Sequence, residues 1–246
     1  MEEKIALITG GTRGIGDAIS QVFLEKDFFV IAASRNEEKN EKWLEEKKKQ
    51  GFQKIATVIC NVADYSSCEK MAKEVQEKYK AIDVLVNNAG ITKDSSFKKM
   101  TKDMWETVIQ TDLNSLYHVT HPLLPLIEEK GEGRIINISS VNGRRGQFGQ
   151  TNYSAAKAGV HGFTKALALE LAKKKITVNT VSPGYVDTEM ILAIPEDIRQ
   201  KLLQTVPMGR FCSPKEVAHL VAFLASKEAS YITGGEFTIN GGLHMF

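Results

Sequence analysis

The sequence has little cysteine, and the cysteines present are poorly placed for metal binding or for disulfide pairing. Only three occur among 246 residues, Cys60, Cys68 and Cys212, and no two of them form a CxxC pair. A metal cage or a disulfide framework needs more thiols at more regular spacing. We therefore expect a protein without a bound metal that works in a reducing compartment, the cytoplasm.

Long apolar runs and an excess of charge of one sign are also missing. No apolar run approaches the ~20 residues that cross a bilayer, and the amino terminus lacks the features of a signal peptide. The 32 basic and 30 acidic side chains leave a formal net charge of +2. Such a balance gives no field that would recruit nucleic acid or an anionic membrane, so small molecules are the expected partners.

The order of apolar and polar segments predicts an α/β fold. With 42% hydrophobic residues, the chain can form one large domain over residues 1–246, because no Pro/Gly-rich linker divides it. Short apolar runs alternate with longer segments of helical period, which predicts a Rossmann-type, doubly wound parallel sheet with helices on both faces. Seven strands are predicted, at Ile5–Thr9, Phe28–Ala33, Ile55–Cys60, Asp83–Asn87, Arg134–Ser139, Thr177–Ser182 and Phe237–Ile239.

Helices should fill the connections between these strands. They are predicted to begin near Gly14, Glu37, Ser66, Met104 and Tyr153. The alternation breaks at residues 188–214, where two helical stretches, Met190–Ile194 and Pro195–Val206, predict a lid over the site.

A glycine-rich turn follows the first predicted strand and opens a helix. It reads Thr9-Gly10-Gly11-Thr12-Arg13-Gly14-Ile15-Gly16. Glycines let the backbone turn sharply here and come close to a pyrophosphate seated on the helix N-terminus. Because the strand, turn and helix occur together, a dinucleotide site is favoured over a purely structural loop.

The end of the second strand bears on the choice of dinucleotide. NAD sites carry an acidic side chain about 20 residues beyond the glycines, whereas this chain has Ala33-Ser34-Arg35-Asn36. Arg35 and Arg13 would hold a 2′-phosphate by charge-assisted hydrogen bonds, which favours NADP(H). Two alternatives stay open. Both arginines are solvated surface residues, or the motif is aligned wrongly by a residue or two, in which case Glu37 or Glu38 takes the acidic position of an NAD site.

A tyrosine and a lysine lie one helical turn apart in Tyr153-Ser154-Ala155-Ala156-Lys157, and Tyr153 alone of six tyrosines has this spacing. Ser140 stands at the end of the fifth strand, with Ser139 as an alternative hydroxyl. A carbonyl that accepts hydride develops negative charge on oxygen and needs a nearby proton donor. The Lys157 ammonium is expected to lower the Tyr153 pKa, and Ser140 to orient the carbonyl.

These motifs together resemble the short-chain dehydrogenase/reductase family, from TGxxxGxG at the first turn to Asn240-Gly241-Gly242. The resemblance implies a nicotinamide-dependent oxidoreductase, usually a homotetramer that packs the helices starting near Met104 and Tyr153 against two-fold mates. It makes Tyr153 and Lys157 cofactor contacts as well as catalytic residues. It adds cofactor contacts at Asn61, Val62, Asn88, Ala89, Gly90, Pro183, Gly184, Val186 and Thr188.

One position departs from the family pattern, because Thr111-Asp112-Leu113 stands where the family has a catalytic asparagine. The resemblance places Asp112 near Lys157, where opposite charge favours the ionised carboxylate. Its charge should keep Lys157 protonated and raise the pKa of Tyr153. The alternative is a tolerated substitution; Asn114 faces another side of the helix and is a poor replacement.

The segment between Ser140 and Tyr153 is similar to that of bacterial acetoacetyl-CoA reductases, which form the (R)-3-hydroxy product. That resemblance implies an acyl pocket lined by Gln147, Phe148, Gln150 and Tyr185, with loop packing as the alternative for each. A related possibility is a 3-oxoacyl-[acyl-carrier-protein] reductase, with Lys130 and Lys173–Lys175 either docking the acidic carrier or simply solvated. A non-catalytic NADP(H)-binding regulator is the alternative from another class.

Overall fold

A parallel sheet of seven strands runs through the protein in the order β3-β2-β1-β4-β5-β6-β7. The computed structural model describes residues 3–192 and 194–245, without the side chain of residue 190. The strands are β1 (Ile5–Thr9), β2 (Phe29–Ser34), β3 (Ile55–Ile59), β4 (Val84–Asn87), β5 (Gly133–Ile138), β6 (Ile176–Pro183) and β7 (Glu236–Ile239). The strand order reverses between β1 and β4, where a crevice opens in folds of this kind.

The central strands are buried on both faces, as parallel strands covered by helices must be. Every residue of β1, β5 and β6 is buried. Side chains alternate along a strand, so Ala6 and Ile8 belong to one core cluster. Ile5 and Leu7 belong to the other.

Ten α-helices and one π turn surround the sheet in the described residues. They are α1 (Gly14–Glu25), α2 (Glu37–Lys49), α3 (Tyr65–Tyr79), α4 (Lys102–Ile109), α5 (Ser115–Glu128), α6 (Asn142–Arg145), α7 (Thr151–Leu171), α8 (Glu189–Leu192), α9 (Glu196–Gln204) and α10 (Pro214–Leu224). Helices α1 and α10 pack on one face, and α3, α5 and α7 supply apolar side chains to the other. Within the described part of the chain, no helix has the length and apolar character needed to cross a membrane.

The fold predicted from the sequence is confirmed. The seven strands lie within one or two residues of their predicted bounds, and the five main helices begin within two residues of theirs. The predicted break in alternation contains α8 and α9. Residue 193, inside the first of the two predicted stretches there, lies outside the described residues.

A π turn at Gln110–Asn114 joins α4 to α5. The sequence predicts a helix that begins near Met104 but not this turn, because a single wide turn leaves the apolar pattern almost unchanged. Such turns often mark functional positions. Asp112 lies at the centre of this one.

Candidate active site

A cleft of about 1280 Å³ opens at the carboxyl ends of the strands. It brings together nearly all of the site residues predicted from the sequence. Those that line it are Gly10, Thr12, Arg13, Gly14, Ile15, Gly16, Arg35, Asn61, Val62, Asn88, Ala89, Gly90, Ser140, Gln147, Gln150, Tyr153, Lys157, Pro183, Gly184, Tyr185, Val186 and Thr188.

Two predicted residues lie elsewhere. Phe148 is not part of the cleft wall described here, and its side chain is 89% exposed. Asp112 lies behind the wall and contacts Lys157 rather than the open space.

The glycine turn after β1 fits a pyrophosphate. Gly10 and Gly14 have φ values of +63° and +53°, a region that favours glycine. A Cβ on Gly16 would lie 2.1 Å from the Gly10 carbonyl oxygen. No side chain caps the N-terminus of α1, so its backbone N–H groups are available to an anion.

The second Asn of the NNAG segment braces this turn. Asn88 Nδ2 donates to the Thr9 carbonyl oxygen at 2.9 Å and to that of Gly10 at 3.3 Å. Its backbone N–H donates to Thr9 Oγ1 at 2.9 Å. Asn88 therefore ties the end of β4 to the end of β1 and holds the floor of the cleft.

Three cations line the cleft near the end of β2. Arg13 and Arg35 were predicted from the sequence, and Lys39, one turn into α2, joins them. All three are exposed. Glu38 instead pairs with Lys42 at 2.6 Å, and neither Glu37 nor Glu38 is part of the described cleft wall.

The residues predicted to be catalytic come from the end of β5 and the start of α7. Lys157 is buried, and its Nζ donates to the Ile138 carbonyl oxygen at 3.1 Å. The same Nζ lies 5.5 Å from the centre of the Tyr153 ring. Ser140 faces the cleft, whereas Ser139 Oγ donates to the Lys157 carbonyl oxygen at 2.8 Å and thereby fixes α7 against β5.

The Asp112 carboxylate is buried against Lys157. Its Oδ2 lies 3.3 Å from Lys157 Nζ, and its Oδ1 accepts a hydrogen bond from the Ile91 backbone at 2.9 Å. A Cβ on Gly90 would come within 2.8 Å of Oδ2, so the glycine leaves the room that the carboxylate occupies. Asn114 is turned away and donates to Gln110 Oε1 at 2.8 Å.

The pKa values in this cluster reflect burial and the ion pair. Burial raises the pKa of Asp112, although Lys157 and the Ile91 N–H oppose the rise. Burial would lower the pKa of Lys157, but Asp112 and Tyr153 together outweigh burial and the pKa is raised. The lysine is therefore held protonated.

The Tyr153 pKa lies above its ordinary value, contrary to the lowering expected from Lys157. Burial is the main cause, and the negative charge of Asp112 adds to it. Lys157 and a hydrogen bond with Ser140 act in the lowering direction but do not prevail. The lowering expected from the sequence took account of the Lys157 charge but not of the burial of the Tyr153 phenol.

A charge cluster around the largely buried Glu236 carboxylate was not predicted. Glu236 of β7 accepts from Arg144 of α6 and from Ser182 Oγ, the latter at 2.8 Å. Its Oε2 also lies 3.2 Å from His161 Nδ1 on α7, and His161 Nε2 lies 3.1 Å from Ser139 Oγ. No spacing in the sequence signals this cluster, because its members come from four separate elements.

Comparison with known proteins agrees with this geometry. A family model described as Enoyl-(Acyl carrier protein) reductase matches residues 10–244. The chain belongs to the short-chain dehydrogenase/reductase family. Members of this family are oxidoreductases that bind a nicotinamide cofactor, which supplies or accepts the hydride.

Several relatives of this short-chain reductase match over their full length. An acetoacetyl-CoA reductase of Cupriavidus necator is 50% identical over 246 residues, 100% of both chains. Nodulation protein G of Azospirillum brasilense is 51% identical and covers 99% of each chain. A 3-oxoacyl-[acyl-carrier-protein] reductase of Vibrio harveyi is 44% identical over 100% of this chain and 99% of its own.

Proposed function

We propose that the protein reduces 3-oxoacyl thioesters with NADPH, and that acetoacetyl-CoA, reduced to (R)-3-hydroxybutanoyl-CoA, is its substrate. The observation that carries the proposal is the meeting of Ser140, Tyr153 and Lys157 in one cleft with Gln147 and Tyr185. The full-length similarity to relatives named acetoacetyl-CoA reductase supports the substrate.

The proton chemistry follows from the arrangement of Ser140, Tyr153 and Lys157 at the cleft. Tyr153 donates its phenolic proton to the carbonyl oxygen as that oxygen becomes negative. Ser140 donates a second hydrogen bond and orients the same oxygen. Lys157, held protonated by Asp112, stabilises the phenolate that remains.

The preference for NADPH is supported by Arg13, Arg35 and Lys39, which line the cleft at the end of β2 without a carboxylate among them. A 2′-phosphate needs such cations, and the ribose 2′-hydroxyl of NADH does not.

The lid is proposed over residues 188–214. Ile198 and Leu202, four residues apart on one face of α9, line the cleft from this segment. Ile194 lines it from just before that helix. An apolar face of this kind suits the acyl and pantetheine parts of a thioester better than a small polar ketone.

The alternative is a 3-oxoacyl thioester of acyl carrier protein. The lysines expected to dock a carrier do not flank the cleft. Lys173–Lys175 follow the far end of α7, a 21-residue helix that begins beside Tyr153. At 1.5 Å per residue the separation is about 30 Å, and Lys130 is held 3.7 Å from Asp83 at the same end. This placement favours CoA.

Steady-state NADPH oxidation with acetoacetyl-CoA and acetoacetyl-carrier protein, side by side, tests the proposal. Higher kcat/KM with the CoA thioester is expected. Higher kcat/KM with the carrier thioester would establish the alternative, and no turnover with either would overturn the proposed function. Tyr153→Phe should lower kcat about 10²- to 10⁴-fold and leave NADPH binding nearly intact, which separates a reductase from a regulator that only binds the cofactor.

A further inference from the structure

A continuous hydrogen-bond chain lies behind the substrate side of the cleft. It begins at Arg145, the last residue of α6, which is partly buried. Arg145 Nη2 donates to Tyr185 Oη at 2.9 Å and to Gln147 Oε1 at 3.1 Å. Its Nε donates to Asn142 Oδ1 at 3.2 Å.

The chain continues from Asn142 to a carboxylate. Asn142 Nδ2 donates to Gln150 Oε1 at 3.0 Å, and Gln150 Nε2 donates to Asp94 Oδ2 at 2.8 Å. A guanidinium can only donate and an ionised carboxylate can only accept. The two ends therefore fix the direction of every hydrogen bond between them.

The side-chain amide of Gln150 is fully used within this chain of hydrogen bonds. Both ends of its amide are engaged, and its side chain is buried. Gln147 differs, because Arg145 takes only the oxygen of its amide and leaves the N–H groups. Tyr185 likewise accepts from Arg145 and keeps its phenolic proton for another partner. Gln147 and Tyr185 both line the cleft, and Arg145 stands behind them.

We propose that Arg145 is a positioning residue that sets the hydrogen-bond polarity of the substrate pocket, turning Gln147 and Tyr185 into donors toward the cleft. The pocket then selects a ligand whose groups at that place are acceptors, as the thioester and amide carbonyl oxygens of an acyl-pantetheine are. Without Arg145 the Gln147 amide is free to reverse and present its oxygen, which repels a carbonyl. The inference rests on the proposed function for the identity of the ligand.

The test is the kinetics of Arg145→Met and Arg145→Lys with NADPH and acetoacetyl-CoA. Methionine keeps similar length without any donor, and lysine keeps the charge without the planar fork. Arg145→Met should raise the KM for acetoacetyl-CoA about tenfold, with kcat changed much less and the KM for NADPH unchanged. Arg145→Lys should recover only part of the loss.

A double-mutant cycle with Tyr185→Phe shows whether Arg145 acts through its partner. In the Tyr185→Phe background, Arg145→Met should cost less than it does alone, because one of its acceptors is already gone. Lys70→Met on α3 removes an equal, exposed charge away from the cleft and should leave the kinetics as in the wild type.

The outcomes separate the two claims. Wild-type enzyme that turns over neither thioester overturns the proposed function. Active wild-type enzyme, together with an Arg145→Met protein of unchanged acetoacetyl-CoA KM, overturns the role of Arg145. Circular dichroism and NADPH binding verify that each variant is folded, and Arg145→Lys supplies the comparison if the methionine variant is not.

Discussion

At the scale of single residues, Asp112 has the most specific chemical consequence. Its carboxylate lies 3.3 Å from Lys157 Nζ, and its charge helps to raise the pKa of Tyr153. Asp112→Asn removes the charge with almost no change in volume. The Tyr153 pKa should fall, because a cause of its elevation is gone.

The resulting pH shift has the same sign in both reaction directions but appears on opposite limbs of the two pH profiles. Reduction needs the protonated phenol, so its alkaline limb should move to lower pH in Asp112→Asn. Oxidation needs the phenolate, so its acidic limb should also move to lower pH. The profile of kcat/KM against pH in each direction measures this, with reductase activity at neutral pH expected to be equal or higher. Loss of most activity with an unmoved profile would instead give Asp112 a role that its charge does not explain.

The cations near β2 carry a second prediction at this scale. NADPH should be preferred over NADH at least tenfold in kcat/KM, about 1.4 kcal/mol. Arg35→Ala should reduce the preference by raising the KM for NADPH, because it removes one of the three cations that line this part of the cleft. Lys39→Ala should reduce the preference less, because an ammonium lacks the planar fork with which a guanidinium binds a phosphate. NADH kinetics serve as the internal control. Equal use of both cofactors by the wild type would contradict the prediction.

At the scale of elements, Glu236 joins four of them. Its side chain is only 7% exposed and contacts Arg144 on α6, His161 on α7 and Ser182 on β6. Glu236→Gln should lower the free energy of unfolding by about 1 to 3 kcal/mol at neutral pH, because cationic and polar partners lose the carboxylate. Urea denaturation measures the change.

The contacts of Glu236 also predict that the free energy of unfolding depends on pH. Burial opposes ionisation of Glu236, but Arg144 and Ser182 outweigh it and lower the pKa below its ordinary value. Stability from the carboxylate is therefore present above the unfolded-state pKa and is lost as pH falls through the folded-state pKa. The difference between wild type and Glu236→Gln should narrow on acidification. Glu74→Gln, which breaks an exposed pair with Lys78, should have little effect at any pH.

The sequence predicts some structural elements better than others. The strands were placed within a residue or two, since a strand buried on both faces must be a short continuous apolar run. The π turn at Gln110–Asn114 was missed, because it inserts no residue type of its own and only widens a helix. The Glu236 cluster was missed because α6, α7, β6 and β7 meet only in three dimensions.

At the scale of the whole molecule, the prediction concerns the oligomeric state. Large apolar side chains are exposed on the helices expected to pack against two-fold mates, with Trp105 on α4, Tyr117 on α5 and Leu169 on α7. A homotetramer should be found by light scattering at micromolar concentration. Leu169, 82% exposed on α7, should matter for assembly, so Leu169→Asp should give smaller species, whereas Lys70→Asp on α3 should not. A wild-type monomer would contradict the prediction.

The sequence by itself determined the sheet, the glycine turn and the residues proposed to carry the chemistry. Those features are local: apolar runs, a turn that only glycine allows at Gly10 and Gly14, and a helical spacing that puts Tyr153 and Lys157 on one face. Tertiary structure decided how the side chains behave. Burial overrode the expected effect of Lys157 on the Tyr153 pKa, and Phe148 came to lie in solvent. Arg145 was brought behind Gln147 and Tyr185, because solvent exclusion and contacts between distant segments exist only once the chain is folded.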